Sequence, residues 1–170
     1  LNALYDSMHD ICDLFGMTPK EATLDSTLSI EFGSSTNGKF LAAYYPSLTA
    51  IHIGPKGNGS FFHEYIHALN DYLRRNRYDF AQDVMNEIKQ TDFEDRSRRV
   101  CRRGKENYWG DKEELLARAG EKWMMQFLQE NGMQNSFLTK DHDHYQSPLY
   151  PTDDESKSFD PGFTKIFQQI

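Results

Sequence analysis

Two histidines and a glutamate stand at a spacing that suits metal-assisted hydrolysis. His63, Glu64 and His67 form the pattern His-Glu-x-x-His within the segment 61–78, where apolar residues recur at helical intervals. Side chains four residues apart lie on one face of a helix, so both imidazoles can bind the same ion from one side. Zinc accepts neutral histidine nitrogens and prefers four ligands, one of which is water in catalytic sites. We therefore predict His63 and His67 as ligands of Zn²⁺.

Glu64 follows His63 directly, so its side chain points beside the two imidazoles and can reach a water molecule without binding the metal. A carboxylate there can take the proton of that water while zinc polarises a carbonyl group. The same pattern also arises on ordinary surface helices, but here it follows a glycine-rich loop, 54–59, and an alternating segment, 48–53. We predict 48–53 as an edge strand, which can accept an extended peptide by backbone pairing.

A third protein ligand must come from elsewhere in the chain. Position 73 is Leu, so the extra ligand of metzincins, six residues after the second histidine, is absent. A helix predicted over 111–130 carries Glu113 and Glu114 near its start, about 100° apart around the axis, so only one of them can face the site. We expect Glu114, whose stripe carries small residues, because Glu113 fits an acid that favours the helix macrodipole. Glu121, seven residues further along, is the alternative ligand.

The residues of both predicted helices resemble those of a known family. The resemblance lies in Glu114–Ala119 and in the run 59–72, Gly-Ser-Phe-Phe-His-Glu-Tyr-Ile-His-Ala-Leu-Asn-Asp-Tyr. These stretches resemble the metallopeptidase-like large-polyvalent-protein-associated domain, which occurs in giant polyproteins of phages and conjugative elements. They are more distantly similar to the catalytic domain of anthrax lethal factor, a gluzincin. The resemblance extends from about residue 43 to residue 170 and is strong at the two helices.

This resemblance implies a set of site residues. Zinc is expected at His63, His67 and Glu114, with Glu64 as the general base. A tyrosine near the third ligand is expected to donate a hydrogen bond to the oxyanion, and Tyr108 is the candidate.

Two positions depart from the family's pattern. Ile66 stands where a small residue is usual, and Gly120 stands where an aromatic residue is usual. Neither departure removes a ligand, but both change how the two helices pack. Asp71, one turn past His67, is a candidate to hydrogen-bond a ligand imidazole, although an acid on a surface helix needs no such role.

Two further polar segments are candidate binding sites. The patch Arg96–Lys105 could contact nucleic acid or an acidic partner, but no aromatic residues are interleaved for base stacking and the chain has a net charge of −7. We therefore interpret the patch as a solvent-exposed loop and regard nucleic acid as a less favoured partner. Asp141–His144 alternates aspartate with histidine, and we interpret it as a solvated loop rather than a second metal site.

The chain length fits one domain. A chain of 170 residues, 38% of them hydrophobic, is large enough for a single core. We predict an α+β, zincin-like fold over 1–170, with N-terminal helices over about 1–25 and a core over about 28–170. Its small antiparallel or mixed sheet is expected to pack an edge strand on the active-site helix, with further helices C-terminal to it.

Most other elements follow from hydropathy patterns. We expect a strand at 28–32 that pairs with a second strand within 40–45. The segment 92–110 is expected to form a loop and 133–158 to form polar turns, before a last helix over 161–169.

These features together predict a zinc-dependent peptide hydrolase of the gluzincin type with a peptide or protein substrate. The alternative is a catalytically silent, zinc-stabilised binding module of a mobile-element polyprotein that could contact nucleic acid through Arg96–Lys105. No apolar stretch approaches the roughly 18 residues of a membrane span, and no signal-peptide pattern is visible. We therefore expect a cytoplasmic location and no membrane partner, while the oligomeric state does not follow from these features.

Overall fold

The computed structural model describes residues 2–33, 41–76, 78–101 and 107–168. Over these ranges the chain has the α+β architecture that the sequence predicts. The strands are β1 (Ser29–Phe32), β2 (Ala42–Tyr45) and β3 (Ala50–Ile53). The helices are α1 (Asn2–Phe15), α2 (Pro19–Ala22), α3 (Phe61–Arg75), α4 (Phe80–Ile88), α5 (Phe93–Cys101), α6 (Lys112–Glu130), α7 (Asp153–Ser158) and α8 (Asp160–Phe167). Within the same ranges, no helix is both long enough and apolar enough to span a lipid bilayer.

The sheet is mixed, and its strand order is β1-β3-β2. β1 runs parallel to β3, and β2 runs antiparallel to it. The predicted pairing of 28–32 with 40–45 is therefore wrong, as is the prediction that 48–53 lies at the edge. Ala50, Ile51 and Ile53 are all buried, and since neighbouring residues of a strand face opposite sides, β3 has both faces covered. A strand of this kind belongs in the centre of the sheet.

β2 provides the edge strand, and it packs against α3. The Leu41 carbonyl accepts a hydrogen bond from the Gly54 amide at 2.9 Å. Because backbone groups in an antiparallel pair alternate in direction, the register then turns the backbone groups of Ala42 and Tyr44 away from β3. The prediction that an edge strand packs on the helix carrying His63 and His67 is confirmed, and β2 is that strand.

Two helices lie where loops were expected. The segment 92–110 contains α5 and a 3-10 turn, Asn107–Gly110, because the buried ring of Phe93 anchors an otherwise charged helix. The segment 133–158 contains α7. Thr152 and Glu155 form a capping box there, each side chain accepting the other's backbone amide, and this Thr-x-x-Glu signature is recognisable in the sequence.

The helix that carries Glu114 begins and ends as predicted. The Asp111 side chain accepts the Glu113 amide at 2.9 Å and caps α6. Gly132 adopts φ +70° just beyond the last turn, a left-handed conformation that glycine adopts without steric cost. Aromatic rings from α1, α6 and α8 stack around the middle of this helix, among them Phe15, Trp123 and Phe167. The position of α6 is thereby fixed against the N- and C-terminal helices.

Ile66 on α3 packs directly onto Gly120 on α6. A Cβ atom built on Gly120 would lie 2.8 Å from Cγ1 of Ile66 and 3.1 Å from Cε1 of Phe163. Ile66 is fully buried. The two departures from the family's pattern are therefore complementary, since the glycine makes room for the branched side chain and lets the helices approach.

Gly120→Ala is expected to destabilise the fold by about 1–2 kcal/mol. Overpacking costs about 1–3 kcal/mol, which outweighs the roughly 1 kcal/mol gained by replacing a mid-helix glycine. Urea unfolding of the metal-free protein measures the difference. In the double variant Ile66→Ala/Gly120→Ala, the loss of unfolding free energy should be smaller than the sum of the two single losses by about 1 kcal/mol or more. The reason is that Ile66→Ala removes the atoms with which the new Cβ would clash. An increase in stability for Gly120→Ala alone would contradict this packing.

Candidate metal centre

Three side chains from two helices meet at one point. His63 and His67 lie on successive turns of α3, and Glu114 lies in the first turn of α6. The two Nε2 atoms are 3.3 Å apart, and Glu114 places Oε2 3.6 Å from His63 Nε2 and Oε1 3.4 Å from His67 Nε2. One ligand atom from each residue falls within 4.8 Å of the others. This cluster could hold a metal ion.

One oxygen of the cluster has no hydrogen-bond donor. Oε2 of Glu114 is buried, and the described part of the chain offers it no hydrogen-bond partner. An unpaired polar atom in the interior costs about 1–3 kcal/mol, so a cation bound there would remove an existing penalty. Two imidazoles and a carboxylate are a donor set that suits zinc. The residues present therefore fit the ion that the sequence predicts.

The electrostatics of the cluster also favour a positive charge at its centre. Burial lowers the pKa of His63, but Glu114 and Glu121 more than offset this and raise the pKa to about 10. Burial raises the pKa of Glu114, but His63 and His67 hold the pKa of that carboxyl well below its usual range. Without a metal, a proton supplies the positive charge; a divalent cation would take its place.

The two alternative acids occupy other positions. Glu113 is solvent-exposed and donates its backbone amide to the Asp111 cap. Glu121 is buried, and its Oε2 lies 3.2 Å from Nδ1 of His63. This nitrogen is on the opposite side of the imidazole from Nε2, which faces Glu114. Glu114 is thus the acid that lies near both Nε2 atoms, whereas Glu121 contacts Nδ1 of His63.

An open cavity of about 290 Å³ lies beside the cluster. Its walls include Glu64, His67, Tyr108 and Glu114, together with β2 and the C-terminal half of α3. Oε2 of Glu64 accepts the backbone amide of Tyr44 at 2.8 Å. The outward-facing amide of the edge strand thereby fixes the carboxylate that follows the first histidine.

Tyr108 faces the same cavity from the 3-10 turn before α6. Partial burial of the phenol and the nearby carboxylates of Glu114 and Glu64 raise the pKa of Tyr108 above its ordinary value, so the hydroxyl stays protonated at neutral pH. Arg118, which is fully buried, holds the turn in place. Its guanidinium donates to the carbonyls of Trp109 and Glu114 and lies 5.4 Å from the Trp109 ring centroid.

Asp71 makes different contacts from those predicted. Its carboxylate accepts the Tyr44 hydroxyl at 2.8 Å and forms ion pairs with Arg74 at 3.2 Å and Arg75 at 2.6 Å. Over the described ranges it is Glu121, rather than Asp71, that contacts a ligand imidazole. No spacing rule in the sequence points to Glu121 in this role, because the contact depends on how α3 and α6 cross.

The described arginines of the Arg96–Lys105 patch are engaged within the protein. Arg96 forms a two-pronged ion pair with Glu155, at 2.8 and 2.5 Å. Arg98 pairs with Glu94 at 2.7 Å, and Arg99 donates to a backbone carbonyl. The rest of the patch, namely Arg102, Arg103 and Lys105, lies outside the described residues.

Asp141–His144 forms a 3-10 turn rather than an open loop. The turn spans His142–Gln146, and Asp141 caps it by accepting the His144 amide at 3.1 Å. Nε2 of His142 lies 3.3 Å from Asp153, and Nε2 of His144 lies 3.2 Å from the Tyr150 hydroxyl. Where the structure describes the chain, these side chains do not form a second metal-binding group.

The C-terminal part of the chain matches a known protein family. Residues 100–170 match the family described as Large polyvalent protein-associated domain 1. This segment contains α6 with Glu114, whereas α3, with His63 and His67, lies outside it. No curated protein and no solved structure matches the chain.

Glu114→Gln is expected to abolish stoichiometric zinc retention, whereas Glu113→Gln should leave it intact. Outer partners of a metal ligand already contribute about 10–100-fold to affinity, so loss of a charged ligand should weaken zinc binding by more than about 100-fold. Elemental analysis after dialysis against a weak chelator, with zinc titration, measures both variants. Equal zinc retention by Glu114→Gln and the unchanged protein would exclude Glu114 as a ligand.

Proposed function

We propose that this chain is a zinc-dependent peptide hydrolase of the gluzincin type, in which His63, His67 and Glu114 hold the ion and Glu64 is the general base. The observation that carries the proposal is the position of Glu64. Its carboxylate lines an open cavity beside the three ligand side chains and is fixed by the Tyr44 amide at 2.8 Å. A cluster that only stabilises the fold needs neither the cavity nor the fixed acid.

Glu64 moves the proton in this proposal. Zinc, when bound, lowers the pKa of a coordinated water and polarises a carbonyl group. One oxygen of Glu64 accepts the Tyr44 amide, and we assign the other oxygen to take the proton of the attacking water. The same carboxyl then returns a proton to the leaving amine, so Glu64 acts first as a base and then as an acid.

Tyr108 is the candidate donor to the oxyanion. Its hydroxyl faces the cavity and stays protonated at neutral pH, for the electrostatic reasons given above. A preorganised hydrogen bond to the developing negative charge of the tetrahedral state accelerates acyl transfer. Arg118 would contribute indirectly, because it ties the turn that carries Tyr108 to the first turn of α6.

An extended peptide fits the edge of β2. The register turns the backbone amide and carbonyl of Ala42, and the carbonyl of Tyr44, away from β3 and toward the cavity wall. Unpaired groups of this kind bind a peptide by strand addition. The amide of Tyr44 is already bonded to Glu64, so the peptide would pair with the remaining groups. This supports a peptide or protein substrate.

A zinc-stabilised binding module of a polyvalent protein is the second candidate. The segment 100–170 matches the family described as Large polyvalent protein-associated domain 1 and does not include the His-Glu-x-x-His helix. A fourth protein ligand that closed the cluster would support this alternative. Among the described residues the cluster has three ligands and a cavity beside them, which supports the hydrolase.

Glu64→Gln is expected to keep zinc and lose turnover. Removing a general base lowers kcat by about 10²–10⁴-fold, whereas the amide can still accept the Tyr44 hydrogen bond. Cleavage of a mixed-sequence peptide library, followed by mass spectrometry, identifies substrates, and kcat is then measured on the best of them. Glu130→Gln, an exposed change at the far end of α6, is the control. Unchanged kcat in zinc-loaded Glu64→Gln would exclude this mechanism.

Tyr108→Phe is expected to lower kcat by about 10²-fold with little change in KM or zinc content, because an oxyanion donor acts mainly in the transition state. The same peptide substrate and zinc analysis provide the measurement. Tyr5→Phe, on an exposed residue of α1, is the matched control. A rise in KM at constant kcat would show instead that Tyr108 binds the ground state.

A further inference from the structure

Glu121 lies on the Nδ1 side of His63, the first candidate ligand. Its side chain is only 4% exposed, and Oε2 is 3.2 Å from Nδ1 of His63. Nε2 of the same ring faces Glu114. A carboxylate at Nδ1 favours the tautomer whose proton is on that nitrogen, which leaves the Nε2 lone pair directed at the cluster.

Two tyrosines hold Glu121 from the other side. The Tyr145 hydroxyl donates to Oε1 of Glu121 at 3.0 Å, and the Tyr150 hydroxyl donates to Oε2 at 3.4 Å. Burial, followed by the nearby Glu121 charge, raises the pKa of both phenols. Both hydroxyls therefore remain donors at neutral pH. Together with the His63 ring, they give the buried carboxylate three hydrogen-bond donors.

The tyrosines are themselves fixed in position. The Lys140 amide donates to the Tyr145 hydroxyl at 2.8 Å, so that this hydroxyl has its own proton free for Glu121. The rings of Tyr145 and Tyr150 pack edge to face, with centroids 5.0 Å apart. Nε2 of His144 lies 3.2 Å from the Tyr150 hydroxyl. Both phenols belong to one ordered segment that follows α6.

We propose that Tyr145 and Tyr150 are positioning residues for the metal centre, acting through Glu121 on His63. This inference rests on the proposed function, since it concerns the same ion. Glu121, Tyr145 and Tyr150 form a brace, which sets the tautomer and the direction of the His63 imidazole. The segment 142–150, distant in sequence from the two histidines, thereby controls the affinity of the site for a divalent cation.

The test is zinc affinity, measured by competition with a chromophoric chelator on the full chain. Tyr145→Phe and Tyr150→Phe each remove one donor, and the double variant removes both. Loss of an outer hydrogen-bond partner typically weakens metal binding by about 10–100-fold, so we expect about 10-fold for Tyr145→Phe and more for the double variant. Glu121→Gln should weaken zinc by a similar or larger factor.

Tyr65→Phe is the matched control. Tyr65 is also fully buried, but its hydroxyl donates to the Ala22 carbonyl at 2.9 Å, away from Glu121. A purely structural effect of losing a buried phenol would lower the melting temperature of the metal-free protein in both cases. We expect that loss of zinc affinity, and a changed visible spectrum of the Co²⁺-substituted protein, appear in the Tyr145 and Tyr150 variants but not in Tyr65→Phe.

Three results would overturn the inference, and they differ in what else they exclude. If the unchanged chain binds zinc and the double variant binds it within about 2-fold of the same affinity, the brace has no role and the proposed function stands. If the unchanged chain binds no zinc, the proposed function fails and the inference fails with it. Weakening confined to Glu121→Gln also overturns the role of the tyrosines.

Discussion

The close approach of α3 and α6 is the constraint on which the site depends. Helices usually pack about 8–10 Å apart, according to the side chains between them. Here Gly120 removes a Cβ that would lie 2.8 Å from Ile66. Gly120 immediately precedes Glu121, and Ile66 lies about one turn after His63, so the contact sets the distance between the two imidazoles of one helix and the carboxylates of the other. A larger residue at either position would change the geometry of the ligand cluster.

Charge is the second constraint. Glu114 and Glu121 are acids in a largely buried site, and both lie within 4 Å of His63. A buried carboxylate is tolerated only when donors or cations surround it. Glu121 receives two phenols and an imidazole, whereas one buried oxygen of Glu114 has no hydrogen-bond partner among the described residues. This asymmetry separates the acid that we propose orients a ligand from the acid that we propose binds the ion.

Much of the site could be predicted because its spacing is local. The interval between His63 and His67 is a property of one helix, and Glu114 could be chosen because its stripe carries small residues, whereas Glu113 fits an acid that favours the helix macrodipole. The contacts of Glu121 with His63, Tyr145 and Tyr150 could not be predicted, since they depend on a crossing angle and a long connection. The predicted strand pairing was wrong for a similar reason, because hydropathy patterns indicate strands but not their partners.

The central claim is that one divalent ion sits between His63, His67 and Glu114. Anomalous X-ray diffraction at the zinc edge, from crystals grown with zinc, tests it most directly. We expect a single strong peak about 2.0–2.1 Å from both Nε2 atoms and about 2.0–2.2 Å from an oxygen of Glu114. A peak at another group of side chains, or an ion bound by the two histidines with the Glu114 carboxylate turned away, would contradict this account.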